Sequence, residues 1–204
     1  ELLPEVCLAQ DSDGAIAQGP AADLGLPAEV ELLHGAGDVG ASALASELFD
    51  GRVGCYLGTS GWVLDEAPPD QWGDPEQGVF NLPHPSRDRV VRVAPLLTAA
   101  GAVEWYVSLL AEDDEERSSL YEELGSSALR QSEPTGIVFL PHLAGERSPF
   151  KDPVASGVFL GLRQHHDRVT LFRAVLEGVS CAIRSVLDPL RAGREQTTEV
   201  LISG

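Results

Sequence analysis

Apolar positions in this chain come in short runs broken by small or acidic residues, and the runs predict alternating strands and helices. Val30–Leu33 reads as a short strand that enters a turn of small residues, Gly35-Ala36-Gly37. Asp38 stands where a helix N-cap belongs, ahead of the small-residue run Val39–Phe49. Asp50-Gly51 marks a turn, Val53–Leu57 a strand, Gly58-Thr59-Ser60-Gly61 a second turn and Trp62–Leu64 the returning strand. Upstream, Asp11–Gly14 reads as a turn and Ala21–Leu24 as a short helix closed by Gly25.

Downstream, Asp65–Gly78 is an acidic, proline-bearing surface loop between strands, and Val79–Leu82 and Arg89–Ala94 continue a small sheet. Pro95–Ala111 is the next expected helix, with Pro95 in its first turn and Leu96, Leu97, Val103, Tyr106, Val107 and Leu110 on its apolar face. Gly101 is out of place there, since glycine costs about 1 kcal/mol against alanine inside a helix. Close approach of a ligand or neighbour accounts for it, and so does plain weak propensity. Glu112–Glu116 reads as a solvated connector, and Ser118–Leu129 as a helix interrupted near Gly125. Ile137–Leu140 is a continuous apolar run, the mark of a buried strand. Asp167–Leu190 has the clearest helical pattern: Asp167 caps it, and Val169, Phe172, Leu176, Val179, Ile183, Val186 and Leu190 share one face. Glu199–Ile202 is a last strand, and Ser203-Gly204 opens a turn.

Composition narrows the function classes. At 204 residues, 43% hydrophobic and 23% charged, the chain has ample material for a core. Acids outnumber bases 32 to 14, and a net charge of −18 repels phosphate backbones, which argues against nucleic acid as a partner. Cys7, Cys55 and Cys181 are odd in number and form no C-x-x-C, so neither a disulfide framework nor a zinc site is expected. Reduced thiols in a cytoplasmic protein are the simpler reading. No apolar run nears the ~20 residues that cross a bilayer, and no signal-peptide pattern opens the chain, so no membrane partner is expected. A start at Glu1, no methionine and a stop at Gly204 directly after a strand read as a piece of something longer.

Two stretches carry candidate chemistry. An acid at a helix start behind a glycine turn holds a carboxylate beside free N–H groups, and the Gly58-Thr59-Ser60 turn offers backbone donors and two hydroxyls, a plausible phosphate cradle. The phrase Phe139-Leu140-Pro141-His142-Leu143-Ala144-Gly145-Glu146-Arg147-Ser148-Pro149 is a third unusual stretch. In it His142 could contact a ligand but reads more readily as a packed side chain. Glu146 and Arg147 could orient a loop at a ligand site, an internal ion pair fixing that loop being the favoured reading. His165 and His166 adjoin each other without metal-ligand spacing.

The order of these pieces resembles the FGGY carbohydrate kinases, the family of glycerol kinase and xylulokinase. Three phrases carry it: Gly35-Ala36-Gly37-Asp38 followed by Gly58-Thr59-Ser60; FLPHLAGERSP with DPVASGVFLGL; and Arg173-Ala174-Val175-Leu176-Glu177-Gly178. The resemblance implies an α/β, ribonuclease-H-like fold of the actin and hexokinase ATPase type, present in part. Residues 1–48 would be the tail of the family's N-terminal domain, and residues 49–204 a truncated C-terminal domain. It implies ATP-dependent phosphorylation of a sugar or polyol, with Asp38 as catalytic base and Mg²⁺ accompanying the nucleotide. Gly58, Thr59, Ser60, Gly101 and Gly204 would lie against ATP, Asp38 and Val39 against the sugar, and no residue of the chain is assigned to metal. Sugar and ATP are the implied partners, with a homodimer allowed. Three positions depart from the family pattern: Val39 where Asn or Gln is common, His142 where tyrosine is common, and Ser156 where arginine is usual. Valine packs but cannot donate, so either the pocket differs or specificity has shifted; D-xylulose or a related ketose or polyol is a first guess at substrate. The 204 residues by themselves are expected not to turn over. A non-catalytic, actin-like module that senses nucleotide or sugar is the competing reading.

Overall fold

A computed structural model describes residues 7–48, 51–85, 88–191 and 199–204. In chain order they form β1 (Ser12–Ala15), α1 (Gln18–Leu24), β2 (Glu31–Leu33) and α2 (Asp38–Ser46). Then come β3 (Arg52–Leu57), β4 (Gly61–Ala67), β5 (Phe80–Pro83), β6 (Val90–Leu96), α3 (Ala100–Ser108) and α4 (Asp114–Leu129). The last elements are β7 (Val138–Leu140), β8 (Val158–Leu160), α5 (Arg168–Arg191) and β9 (Glu199–Ser203).

The central sheet has the order β5-β6-β4-β3-β9, antiparallel throughout except that β9 runs parallel to β3. The antiparallel run β3-β4-β6, then a helical crossover to β9 parallel to β3, follows the sheet order of a ribonuclease-H-like domain, with β5 added at the edge beyond β6. The α/β fold expected from the sequence is the one observed. Central strands are buried on both faces. On one face Val53, Cys55, Val63, Ala94 and Leu96 pack under Ala182, Val186, Leu187 and Leu190 of α5. On the other, Leu64, Val91 and Val93 pack with Ala43 of α2 and Leu48. A second core joins α3, α4 and α5 to Phe139 of β7.

Several expected boundaries shift. Ser12–Ala15 is a strand, paired antiparallel with β2, where a turn was expected at Asp11–Gly14. The N-cap of α2 is Gly37; Asp38 is the first helical residue, and its Oδ1 accepts the adjacent Val39 N–H at 2.8 Å. That helix ends at Ser46, and Phe49 and Asp50 lie outside the described residues. The strand begun at Gly61 runs on through Asp65-Glu66-Ala67, because both acids have buried partners. Asp65 takes two bonds from Arg92, at 2.9 and 2.6 Å, and Arg92 also donates to the Leu190 carbonyl at 2.7 Å. Glu66 pairs with Arg89 at 2.8 Å and lies 3.1 Å from His84. A charge pattern that reads as loop is thus a satisfied buried network.

Pro95 and Leu96 belong to β6, with Pro95 opposite Trp62, so the helix expected from Pro95 begins only at Ala100. Helix α4 begins earlier than expected, since Asp113 caps it by accepting the Glu116 N–H at 2.8 Å, and three acids fill its first turn. Gly125 does not interrupt it. The apolar run at β7 pairs only with β8, and while Phe139 is buried, Val138 and Leu140 are exposed. Such a ribbon has one covered face, which the continuous pattern does not reveal. Helix α5 starts as expected: Asp167 Oδ1 accepts the Thr170 N–H at 2.8 Å and its hydroxyl at 2.7 Å. Those two bonds hold the Asp167 carboxyl below its ordinary range.

Candidate active site

Asp38 and the Gly58-Thr59-Ser60 turn belong to separate elements, and Asp38 meets Ser60 of that turn at the start of β4. Asp38, Val39, Ser60, Gly61, Trp62 and Arg147 line one cavity of about 370 Å³. Asp38 and Val39 also line a second, of about 340 Å³, bounded by Gly35, Gly37 and His84. The Asp38 carboxylate therefore stands at the junction of two cavities, exposed, at the start of α2. Because Oδ1 already takes the Val39 N–H, Oδ2 is the oxygen left to accept from a ligand.

The turn is fixed from behind. Ala99 and Gly101 donate their N–H groups to the Thr59 carbonyl at 3.0 and 3.1 Å, and Ala100 donates to the Gly58 carbonyl at 2.9 Å. The N-terminus of α3 spends its free donors on this turn, whose carbonyls accordingly face the helix. Thr59 and Ser60 are left exposed at the tip. Gly101 is explained by the same contact: a Cβ there would stand 2.7 Å from the Thr59 carbonyl oxygen and 2.9 Å from its methyl. The neighbour that requires glycine is the turn itself. Gly58 rests against the Tyr56 ring, which stacks on Trp62 with centroids 4.2 Å apart. Gly204 ends β9 beside Leu57, where a Cβ would fall 2.4 Å from the Leu57 carbonyl oxygen. Gly58, Thr59, Ser60, Gly101 and Gly204 thus cluster around one turn, while Asp38 and Val39 face Ser60 across the cavity.

The Glu146–Arg147 ion pair expected from the sequence is absent. Glu146 is only 1% exposed, and a carboxylate so buried needs donors. It takes the N–H groups of Leu97 at 3.1 Å and Arg147 at 3.0 Å, and lies 3.3 Å from His142 Nδ1. His142 is packed as expected, edge-on to Phe150. The side chains alternate on this stretch: Glu146 and Ser148 point inward, and Arg147 outward into the Asp38 cavity. In the sequence Glu146-Arg147-Ser148 is polar throughout, so nothing local marks Arg147 as the outward residue.

Arg173 and Glu177 form a clamp away from this site. Glu177 takes the Thr135 hydroxyl at 2.7 Å and Arg173 Nε at 2.9 Å; Arg173 also donates to the Ala128 and Gln131 carbonyls. Burial raises the Glu177 carboxyl, but the bonds from Thr135 and Arg173 outweigh it and leave it lowered. Gly178 lets β7 approach α5, since a Cβ would stand 2.4 Å from the Phe139 carbonyl oxygen. Among the described residues no three His, Cys, Asp or Glu side chains converge on a metal position, and no helix is long and apolar enough to cross a membrane.

Comparison with known proteins places this geometry. Residues 53–204 match the model of the FGGY family of carbohydrate kinases, C-terminal domain. A xylulose kinase of Staphylococcus epidermidis is 29% identical over 207 aligned residues, which cover all of this chain and 40% of that protein. A xylulose kinase of Klebsiella pneumoniae is 34% identical over 79% of this chain and 32% of its own length. The crystal structure of a xyloylose kinase from Brucella ovis superposes with a TM-score of 0.83 at 32% identity, covering 98% of this chain and 41% of that one. This chain thus spans about 40% of the length of such relatives. With its sheet order, its Asp38 turn and a family match over three quarters of its residues, the chain belongs to the FGGY family of carbohydrate kinases.

Proposed function

We propose that the protein carrying this chain transfers the γ-phosphoryl group of ATP to a hydroxyl of a sugar, with a ketose such as D-xylulose as first candidate. The observation that carries the reading is that Asp38, exposed at the start of α2, lines one cavity together with Ser60 of the Gly58-Thr59-Ser60 turn. In this reading Asp38 accepts the proton of the attacking hydroxyl as its oxygen bonds to phosphorus and ADP leaves. General-base help of this kind is worth about 10²–10⁴-fold. Val39 offers the sugar a packing surface rather than a donor. Gly58, Thr59 and Ser60 hold the phosphates through the exposed tip of their turn, which Gly101 and Gly204 back closely. Mg²⁺ bound with the nucleotide supplies charge neutralisation. The described residues include no ligand set for it, and none is assigned. Residues 1–48 are read as the end of the N-terminal, sugar-side domain and residues 49–204 as the nucleotide-side domain.

The test is Asp38→Asn in the natural polypeptide that contains these residues, assayed with ATP and D-xylulose. Loss of turnover by about 10²–10⁴-fold, with nucleotide affinity and melting temperature preserved, is the expected result. Wild-type turnover in Asp38→Asn would sink the assignment. Binding of nucleotide and sugar without any turnover by the wild-type protein would favour the sensing module.

A further inference from the structure

We infer that Arg147 is a phosphate-binding residue of this site, where its guanidinium meets the phosphoryl group that moves between nucleotide and sugar. The inference rests on the phosphoryl-transfer reading of the Asp38 cavity. Three observations carry it.

The first is placement. Arg147 lines the same cavity as Asp38 and Ser60, although it comes from a distant loop. The second is rigidity, because every neighbour of Arg147 is tied down. Gly145 has a φ of 78° and sits against the Pro153 carbonyl, a position a side chain would fill at 2.8 Å. Glu146 and Asp152 exchange two backbone hydrogen bonds at 2.8 and 2.9 Å, in addition to the bonds made by the Glu146 carboxylate. Ser148, fully buried, donates its hydroxyl to the Gly78 carbonyl at 2.7 Å. A loop so restrained on both sides fixes the direction in which the Arg147 side chain leaves the backbone, toward the cavity it lines.

The third is charge. Among the described residues Arg52, Arg89, Arg92, Arg117, Arg168 and Arg173 each pair with a carboxylate. Arg130, Arg147, Arg163 and Arg184 pair with no carboxylate among the described residues, in a chain where acids outnumber bases 32 to 14, and of these four Arg147 is the one that lines the Asp38 cavity. Leaving a guanidinium unneutralised in such a field preserves it for an anion from outside. The planar fork of arginine matches phosphate oxygens two at a time, as a lysine ammonium does not. In the reaction the sugar hydroxyl oxygen bonds to the γ-phosphorus while the bond to the β–γ bridging oxygen breaks. The leaving electron pair goes with ADP, and the proton goes to Asp38. The negative charge on the transferred group is what Arg147 meets, both on the nucleotide and on the product ester.

Arg147→Gln and Arg147→Lys in the natural polypeptide test this. Arg147→Gln is expected to lower kcat by about 10²–10³-fold, the scale for one lost transition-state donor, with melting temperature and sugar affinity unchanged. Arg147→Lys recovers part of the loss. Calorimetry separates the two sources of the group: a non-hydrolysable ATP analogue reports the nucleotide's phosphoryl, and the phosphate ester of the sugar reports the product's. Unchanged kcat in Arg147→Gln, with unchanged affinity for both, overturns the inference. If the wild-type protein phosphorylates no sugar, the proposed function fails by itself and titration with pyrophosphate still decides Arg147. Affinity lost in Arg147→Gln sustains it, and equal binding or equal lack of binding overturns it.

Discussion

The N–H of Gly101 donates to the Thr59 carbonyl at 3.1 Å, and a Cβ on Gly101 would stand 2.7 Å from the same oxygen. The first turn of α3 and the Gly58-Thr59-Ser60 turn are therefore one unit, and the space between them is already full. Gly101→Ala pushes on backbone, which yields less readily than a side chain end. Overpacking costs about 1–3 kcal/mol, offset by up to about 1 kcal/mol of helix propensity. The expected result is a modestly lower urea midpoint and a raised KM for ATP with KM for sugar unchanged. An unaltered KM for ATP would separate this packing from nucleotide binding.

Thr59→Val asks what the exposed hydroxyl does. Size and β-branching stay the same, and the position is exposed, so stability should hold within about 0.5 kcal/mol. Weaker ATP use with sugar binding intact is the expected outcome in steady-state kinetics. A fall in sugar affinity alone would assign the turn to the other substrate.

Gly178→Ala acts far from the cavity. The added methyl meets the Phe139 carbonyl at 2.4 Å, in a helix that anchors both cores. A net loss of about 1–2 kcal/mol is expected, overpacking exceeding the helix gain. Denaturant unfolding measures it, and a stabilised variant would show that β7 is free to retreat.

Asp167 gives a pH signature. Its carboxyl is held below the ordinary range by the Thr170 N–H and hydroxyl. A group whose folded pKa is depressed contributes stability above its unfolded pKa, near 4, and loses it as pH falls through the folded value. Asp167→Ala should cost about 1 kcal/mol near neutral pH, the usual cap effect. The difference from wild type should shrink below about pH 4. A pH-independent difference would mean that the cap acts through shape rather than charge.

The 204 residues alone are expected not to turn over ATP and xylulose. Phosphoryl transfer depends on positioning and charge stabilisation by several elements together. This chain spans about 40% of the length of its relatives, and its charge of −18 opposes free ATP. A coupled assay checks this, and turnover abolished by Asp38→Asn would show that these residues hold a sufficient site.

Local signals carried most of the fold. The Asp167 cap and the seven-membered apolar face of α5 were legible because helix geometry repeats within a few residues. So were β3, the tight turn after it and the return into β4. Asp38 and Thr59 stood out as candidates because residue type and short spacing define their phrases, and the roles proposed for them rest on that. Packing decided the rest. Whether Asp65-Glu66 is loop or strand depends on Arg92, Arg89 and His84, partners up to 27 residues away that no local window contains. Pro95 could sit in β6 because Trp62 lies opposite it, and the helix waited for the space beyond Leu96. Adjacent opposite charges at Glu146 and Arg147 suggested a pair. The backbone N–H groups of Leu97 and Arg147 claimed the buried carboxylate instead, and Arg147 lines the cavity. The sequence alone determined which residues are candidates for chemistry and which segments repeat with helical or strand period. Only the tertiary structure decided which of those residues meet, because burial, and the demand that every buried charge find a donor, is a property of the whole packed chain.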